Sequence, residues 1–441
     1  MPILEYAERL ELFPITARVD SQAHLVIGEY DTVELAAEFG TPLYIFDEAT
    51  LRSQCFTFVT QFTRQYMNTL IIYASKAYLN RALARIFAEE ELGLDVVSGG
   101  EIFIAKSADF PMQRVYFHGN NKSSEELMLA LDSGVGQIVI DNFLELTMLN
   151  QMAAEREIVQ DVLLRLSPGV DPHTHSHIST GIIDTKFGFT IATGQAEEAV
   201  TRVLSASNLR PIGLHVHIGS LIFDLQPYRE AMEIALRFAA DMKTRYGFDL
   251  KEFSPGGGFA IQYVEGSPPP SIAEYAEAIT STLTEKCREL GLGLPRLVIE
   301  PGRSIVGRAG VALYRVGAIK QIPEVRKYVS VDGGMADNIR PALYGARYEA
   351  VAANKMSAAE SECVTIAGKY CESGDILIKD IDLPRLEPGD IIALPAVGAY
   401  CLAMASNYNA SLKPAVVLIR EGQARLIQRR ETYQDLIQRD V

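Results

Sequence analysis

The stretch Ile71-Ile72-Tyr73-Ala74-Ser75-Lys76-Ala77-Tyr78 (residues 71–78) carries an apolar run into a lysine. It opens a series of eight apolar, strand-like segments, at 71–77, 92–99, 114–120, 137–143, 161–168, 212–220, 252–259 and 296–304. Several end in reactive or glycine-rich residues, among them Ser-Lys-Ala, Val-Ser-Gly-Gly, His-Gly-Asn, His-Ile-Gly-Ser, Gly-Gly-Gly-Phe and Glu-Pro-Gly-Arg-Ser. Stretches with helical spacing, such as 79–90, 124–133 and 227–246, lie between them. Apolar strands alternating with helices predict an α/β fold, a (β/α)8 TIM barrel, with its active site at the C-terminal ends of the strands.

The chain has 441 residues, more than the ~250 of a single barrel, so a second domain is expected. The texture changes after the eighth segment. Segments 311–319, 326–332, 362–367, 389–395 and 415–420 are short, rich in Val, Ile and Tyr, and separated by turn residues. They predict a mainly antiparallel β domain. The expected organisation is an N-terminal segment (1–46) packing with the β domain, a barrel over 47–308, and the β domain over 309–441. A formal net charge of −15 argues against nucleic acid or an anionic membrane as partner. No apolar run reaches the ~18 residues of a membrane span, and the first residues lack the pattern of a signal peptide. The five cysteines are scattered, with no Cys-x-x-Cys pair. A cytoplasmic protein is expected.

The ends of the segments carry the chemistry. A lysine inside an apolar strand must bury its ammonium or lose a proton, and the free amine attacks aldehydes. The plainer alternative for Lys76 is a side chain that reaches solvent from the strand's end. Gly256, Gly257 and Gly258 let backbone N–H groups close on an anion where barrels often bind phosphate, though three glycines also make a tight turn. Glu300, in Glu300-Pro301-Gly302-Arg303, could keep a pyridine nitrogen protonated, and Arg303 offers a fork for carboxylate or phosphate. A surface Glu–Arg pair would look the same. His215 and His217 alternate on the sixth segment, where a metal is one reading and an imidazole stacked on a flat cofactor ring another. His173, His175 and His177 in the loop 168–186 read as loop-ordering residues, and no metal is predicted. Cys371, beside Glu372, is either a proton donor or an ordinary small residue in a β loop. Lysine, glycine cradle and carboxylate at three strand ends together point to a phosphorylated aldehyde cofactor.

In this order the motifs resemble the alanine-racemase-like (fold type III) pyridoxal-phosphate enzymes, and within them the diaminopimelate decarboxylase family. The resemblance runs from Phe39-Gly40-Thr41-Pro42-Leu43-Tyr44 to Ser406-Asn407-Tyr408-Asn409. It includes Asp95-Val96-Val97-Ser98-Gly99-Gly100-Glu101, His118-Gly119-Asn120-Asn121-Lys122-Ser123 and Lys186-Phe187-Gly188. It implies pyridoxal 5'-phosphate as cofactor and decarboxylation of meso-2,6-diaminopimelate to L-lysine as the reaction. By resemblance Lys76 is the Schiff-base lysine, His217 stacks on the cofactor ring and Glu300 meets its nitrogen. Ser220, Gly256 to Gly258, Gly302 and Arg303 hold cofactor and phosphate. Arg303, Arg340, Tyr344, Glu372 and Tyr400 match substrate contacts, Tyr400 also touching the cofactor, and Cys371 matches the proton donor. A homodimer with active sites shared between subunits is implied, because Cys371 and Glu372 serve the neighbouring site. Two positions depart from the family pattern: Leu221 stands where Gln is common, and Ser411-Leu412-Lys413-Pro414 replaces a basic stretch.

Overall fold

The computed structural model describes residues 9–170, 185–358 and 360–441. His173, His175 and His177 lie outside the described residues. The chain forms two compact units, Cys55–Ala260 with Pro269–Gly302, and Met1–Gln54 with Ile261–Pro268 and Arg303–Val441.

In the first unit the parallel strands are Thr69–Ala74, Gly93–Val96, Val115–Phe117, Gln137–Ile140, Gln160–Ser167, Leu209–Val216, Glu252–Gly256 and Arg296–Ile299. Gln137–Ile140 pairs with Gln160–Ser167, and Arg296–Ile299 pairs back with Thr69–Ala74, so the sheet closes into a barrel. Ile72, Tyr116, Val139, Leu163, Ile212 and Val298, one from each of six strands, fill the interior as a buried layer. This is why these strands read as apolar runs rather than as alternating ones. Several helices begin at caps the sequence supplies. Asn80 accepts from Leu83 N ahead of Arg81–Glu89, and Ser123 forms a reciprocal box with Glu126 ahead of Ser124–Asp132.

The strands stop earlier than their apolar runs. The first ends at Ala74, and Lys76 sits in a one-turn 3-10 helix, Ser75–Ala77, just beyond it. The sixth ends at Val216 and the seventh at Gly256. Gly219, Gly256 and Gly258 have φ of +139°, +81° and +103°, conformations outside the β region that end a strand.

The second unit holds a sheet in the order Ile376–Pro384, Ser361–Ala367, Arg326–Val331, Gly310–Ile322, Leu43–Asp47, Ala415–Arg420, Gln423–Gln428. Most joints are antiparallel. The exceptions are Arg326–Val331 with Ser361–Ala367 and Leu43–Asp47 with Ala415–Arg420. Leu43, Ile45, Val311, Leu313, Ile391, Ala393, Val417 and Ile419 share one buried core. Two of the longer strands of this sheet escaped the sequence reading. Gln423–Gln428 is a largely exposed edge strand with little apolar alternation, and Ile376–Pro384 is interrupted by Lys379 and by Asp380, whose φ is +56°. Among the described residues no helix is long and apolar enough to cross a membrane.

Candidate active site

Lys76 stands at the C-terminal face of the barrel, its side chain 39% exposed rather than buried, with Nζ 3.3 Å from Asp95 Oδ2. The alternative of a lysine reaching out from the strand's end therefore holds for its exposure, while Asp95, fully buried, holds it in place. Glu300, just past the end of the neighbouring eighth strand, is buried. One of its carboxylate oxygens accepts from Ser254 Oγ at 2.7 Å and the other from His215 Nε2 at 3.1 Å. Burial alone would raise the Glu300 pKa, but the adjoining His215, which donates to it, outweighs burial and holds the carboxyl below the usual carboxylate range. Glu300 is thus a carboxylate at neutral pH, as an acceptor for a ring N–H must be.

The two histidines of the sixth segment have different tasks. His215 is on the strand, buried against Glu300. His217 lies one residue past the strand end, where Gly257 N donates to its Nδ1 at 3.4 Å. Burial, with the positive charges of Lys76 and Arg165 nearby, holds the His217 ring well below the usual histidine range, so it is neutral. A neutral, flat ring at the barrel mouth is suited to stacking.

The glycines after the seventh strand earn their place by close approach. A Cβ at Gly257 would lie 2.1 Å from the Glu300 carbonyl oxygen, and one at Gly258 2.5 Å from that of Gly219. Gly302 packs against Ala74, its would-be Cβ 3.0 Å from the alanine Cβ. The ends of the sixth, seventh and eighth strands are drawn together this way, beside Ser220, which is exposed. Leu221 follows in the left-handed region at φ +57°.

His118 follows the third strand and is held from below. In the segment after it, Lys122 Nζ donates to Gly119 O and Val139 O, both at 2.8 Å, and to Glu145 Oε1 at 2.7 Å. Asn142 Nδ2 donates to Asn120 O at 3.1 Å. The Gly-Asn-Asn-Lys run directly after His118 is thus clamped to the fourth strand and to the segment that follows it.

In the second unit two guanidinium groups share one phenol. Tyr263 Oη accepts from Arg303 Nη1 at 2.6 Å and from Arg340 Nη1 at 3.0 Å. Arg340 Nη1 also donates to Tyr348 Oη at 2.5 Å, and Arg303 lies 4.6 Å from the Tyr400 ring centroid. Arg340 begins the short helix Arg340–Tyr344, whose last residue, Tyr344, is exposed. Cys371 and Glu372 occupy an exposed turn. Cys371 N donates to Asn409 Oδ1 at 3.0 Å, and Asp375, accepting from Met335 N at 2.7 Å and Tyr370 N at 2.9 Å, anchors the turn's far end.

Asp95, His118, Ser254, Tyr263 and Tyr348 were missed as individual site residues. So was Arg165, largely covered on the fifth strand 3.8 Å from Asp141. A charge or hydroxyl in an otherwise apolar strand, as with Asp95, Arg165 and Ser254, is the signal that could have found some of them. His118, His215 and Glu300 also offer three ligand-capable atoms within 4.8 Å of one another. Hydrogen bonds from Ser254 and His215 already occupy both Glu300 oxygens.

The barrel mouth fits a pyridoxal group: an amine at one strand end, a buried carboxylate at another, a neutral imidazole at a third, and glycine turns after strands six to eight. Asp95 Oδ1, His118 Nε2 and His215 Nδ1 are buried without hydrogen-bond partners there. So much polarity in a barrel mouth is characteristic of a site rather than of packing. Fold and site are those of a pyridoxal-dependent decarboxylase, and residues 49–307 match the pyridoxal-binding domain of that class. The diaminopimelate decarboxylase of Bacillus subtilis is 46% identical over 97% of this chain and 97% of its own. That of Bacillus methanolicus is 44% identical over 94% and 96%. The crystal structure of the M. jannaschii diaminopimelate decarboxylase with L-lysine superposes with a TM-score of 0.92, at 36% identity, over 97% of this chain and 98% of that one. The chain belongs to the diaminopimelate decarboxylase family. Its cofactor is pyridoxal 5'-phosphate.

Proposed function

We propose that the protein decarboxylates meso-2,6-diaminopimelate to L-lysine and CO2, and that the residues above divide the work as follows. The observation carrying this reading is the pair of arginines sharing the Tyr263 hydroxyl in the second unit. An amino acid whose far end is an ammonium alone needs no such cations, whereas diaminopimelate carries a second carboxylate there. Arg340 is buried and bonded by two phenols, a fork held ready for that carboxylate.

Bound pyridoxal phosphate supplies the electron sink that accepts the pair left behind when CO2 departs. Lys76 Nζ is the amine that would hold the cofactor through its aldehyde, with Asp95 beside it at 3.3 Å. Glu300 accepts the ring N–H and keeps that nitrogen protonated, while Ser254 and His215 hold the carboxylate. His217 would offer its neutral face to the ring. Gly256 to Gly258, Ser220, Gly302 and Arg303 surround the phosphate. Arg340, Tyr344, Glu372 and Tyr400 contact the substrate with Arg303, Glu372 taking the distal ammonium. Cys371 returns a proton to the carbon that lost its carboxylate.

Exposure of Cys371 and Glu372 on an anchored turn supports a homodimer in which each subunit lends this turn to its partner's site. The barrel's extent, the β domain with its N-terminal segment, and a cytoplasmic setting belong to the same reading.

The test is lysine formation by purified protein with pyridoxal phosphate and meso-diaminopimelate, run beside ornithine and arginine. Lysine from diaminopimelate alone is the expected result. Turnover of ornithine at a comparable kcat/KM would overturn the substrate assignment, because an unpaired buried Arg340 should cost the shorter substrate heavily.

A further inference from the structure

His118 Nε2 is buried without a hydrogen-bond partner, and so is Asp95 Oδ1, which it faces at 3.8 Å. The same nitrogen is 3.7 Å from Glu300 Oε1. It therefore lies midway between two buried carboxylates, slightly beyond hydrogen-bond length from each. Asp95 holds Lys76 at 3.3 Å through its other oxygen. A line of closely spaced polar side chains thus runs Lys76, Asp95, His118, Glu300, His215, with His118 standing off both carboxylates by 3.7–3.8 Å. The ring of His118 meets that of His215 edge-on, centroids 4.8 Å apart. The charged and titratable groups around it are Asp95, His215, Glu300, Lys76 and Arg165. Burial keeps the imidazole neutral, so it carries one ring proton, and the two carboxylates on its Nε2 side favour the tautomer with that proton on Nε2.

We propose that His118 is a positioning residue whose Nε2–H lies between Asp95 and Glu300, its dipole shared by both without a full hydrogen bond to either, coupling the proton held at Lys76 to the charge held at Glu300. The Lys122 clamp holds the backbone at Gly119, the residue directly after His118. The proposal rests on the roles given above to Lys76 and Glu300. Without the shared N–H, Asp95 bears its charge undivided and grips the Lys76 proton more tightly.

The experiment is a pH titration of the visible absorption band of the holoenzyme, for wild type, His118→Phe, His118→Asn and His118→Gln. Phe removes the donor at similar size, and Asn keeps an amide too short to reach both carboxylates. Both should raise the band's midpoint by about one pH unit, a tenfold gain in proton affinity. Gln, long enough to present an N–H, should restore at least half of the shift. Asn carries the test if the Phe variant does not fold. A purely structural role would lower melting temperature or cofactor affinity and leave the midpoint at its wild-type value in every folded variant, and that result overturns the proposal. Borohydride reduction and peptide mapping of the wild type separate the two levels. Label absent from Lys76 would overturn the underlying reading, whereas label on Lys76 with an unmoved midpoint would overturn this proposal alone.

Discussion

Replacing Lys122 by methionine tests whether the clamp beneath His118 has the weight the structure gives it. The lysine and Glu145 side chains are 1% and 2% exposed, so neither charge has water to fall back on. Methionine matches the stem but removes all three donor contacts, to Gly119 O, Val139 O and Glu145. Breaking a buried pair by deleting one partner costs about 3–5 kcal/mol, because the other charge is left uncompensated. For a barrel of this size that lowers the melting transition by roughly 6–20 °C. Burial already holds the Glu145 pKa above the usual carboxylate range even with Lys122 pulling it down, and without the lysine it rises further. A folded-state pKa above the unfolded one means a penalty present above the folded pKa and relieved as pH falls toward the unfolded value. The deficit of the variant should therefore narrow as pH falls from the raised folded-state value toward the unfolded one. The double variant Lys122→Met/Glu145→Gln should recover most of the loss, since no orphaned charge remains. Calorimetry of the four proteins gives the cycle. A single-variant cost under about 1 kcal/mol, or a double variant no better than the single, would refute the reasoning.

Lys76→Ala should abolish lysine formation and prevent borohydride from fixing the cofactor to the chain, and near-wild-type turnover would remove the lysine from its role. Glu300→Gln keeps the size and the Ser254 contact but not the charge, and should lower kcat by about 100- to 1,000-fold, a usual range for a lost electrostatic partner. Gly257→Ala drives a methyl into the Glu300 carbonyl, and the required shift, about 1–3 kcal/mol, should weaken cofactor binding tenfold or more in fluorescence titrations of the apoprotein. Asp337, buried beneath the hydroxyls of Tyr44 and Tyr314, has its pKa pushed up to about 6 by burial, which those hydroxyls only partly offset. Its contribution is full below the unfolded pKa and is lost as pH rises through about 6, so Asp337→Asn should gain stability over wild type above that pH, on the order of 3 kcal/mol, and no gain below about pH 4.

The parts of the fold legible in the sequence were those with a single cause. Buried strands must be apolar on both faces, so the barrel could be read from Ile71-Ile72-Tyr73-Ala74 and its counterparts. Helix starts such as Asn80 and Ser123 are local hydrogen-bond chemistry. Strand ends were harder, because an apolar run does not show where pairing stops. Lys76 was placed on a strand when it sits in the turn beyond, and that changed its expected burial. Edge strands such as Gln423–Gln428 lack the alternation that burial imposes and were passed over for that reason. Within the site, a lysine, a glycine run and a glutamate stand out in one dimension. The pairing of Arg303 with Arg340 through Tyr263 does not, since it joins residues far apart in the chain through a phenol that looks ordinary where it stands.

His118 shows why such residues are invisible until the chain is folded. Histidine beside glycine has many explanations, and nothing in His-Gly-Asn-Asn-Lys announces two carboxylates from other strands. Its position follows from three separate demands. The third strand must end before it, Lys122 must be buried to reach Gly119 and Val139, and Glu145 must be there to neutralise that lysine. Each demand has a stability cost if unmet, yet the consequence falls on the chemistry, at a nitrogen that makes no hydrogen bond of its own. Selection acting through stability on Lys122 and Glu145 would thus preserve the geometry of a group that neither of them touches, and a variant that weakens the clamp should disturb the cofactor spectrum before it unfolds the barrel.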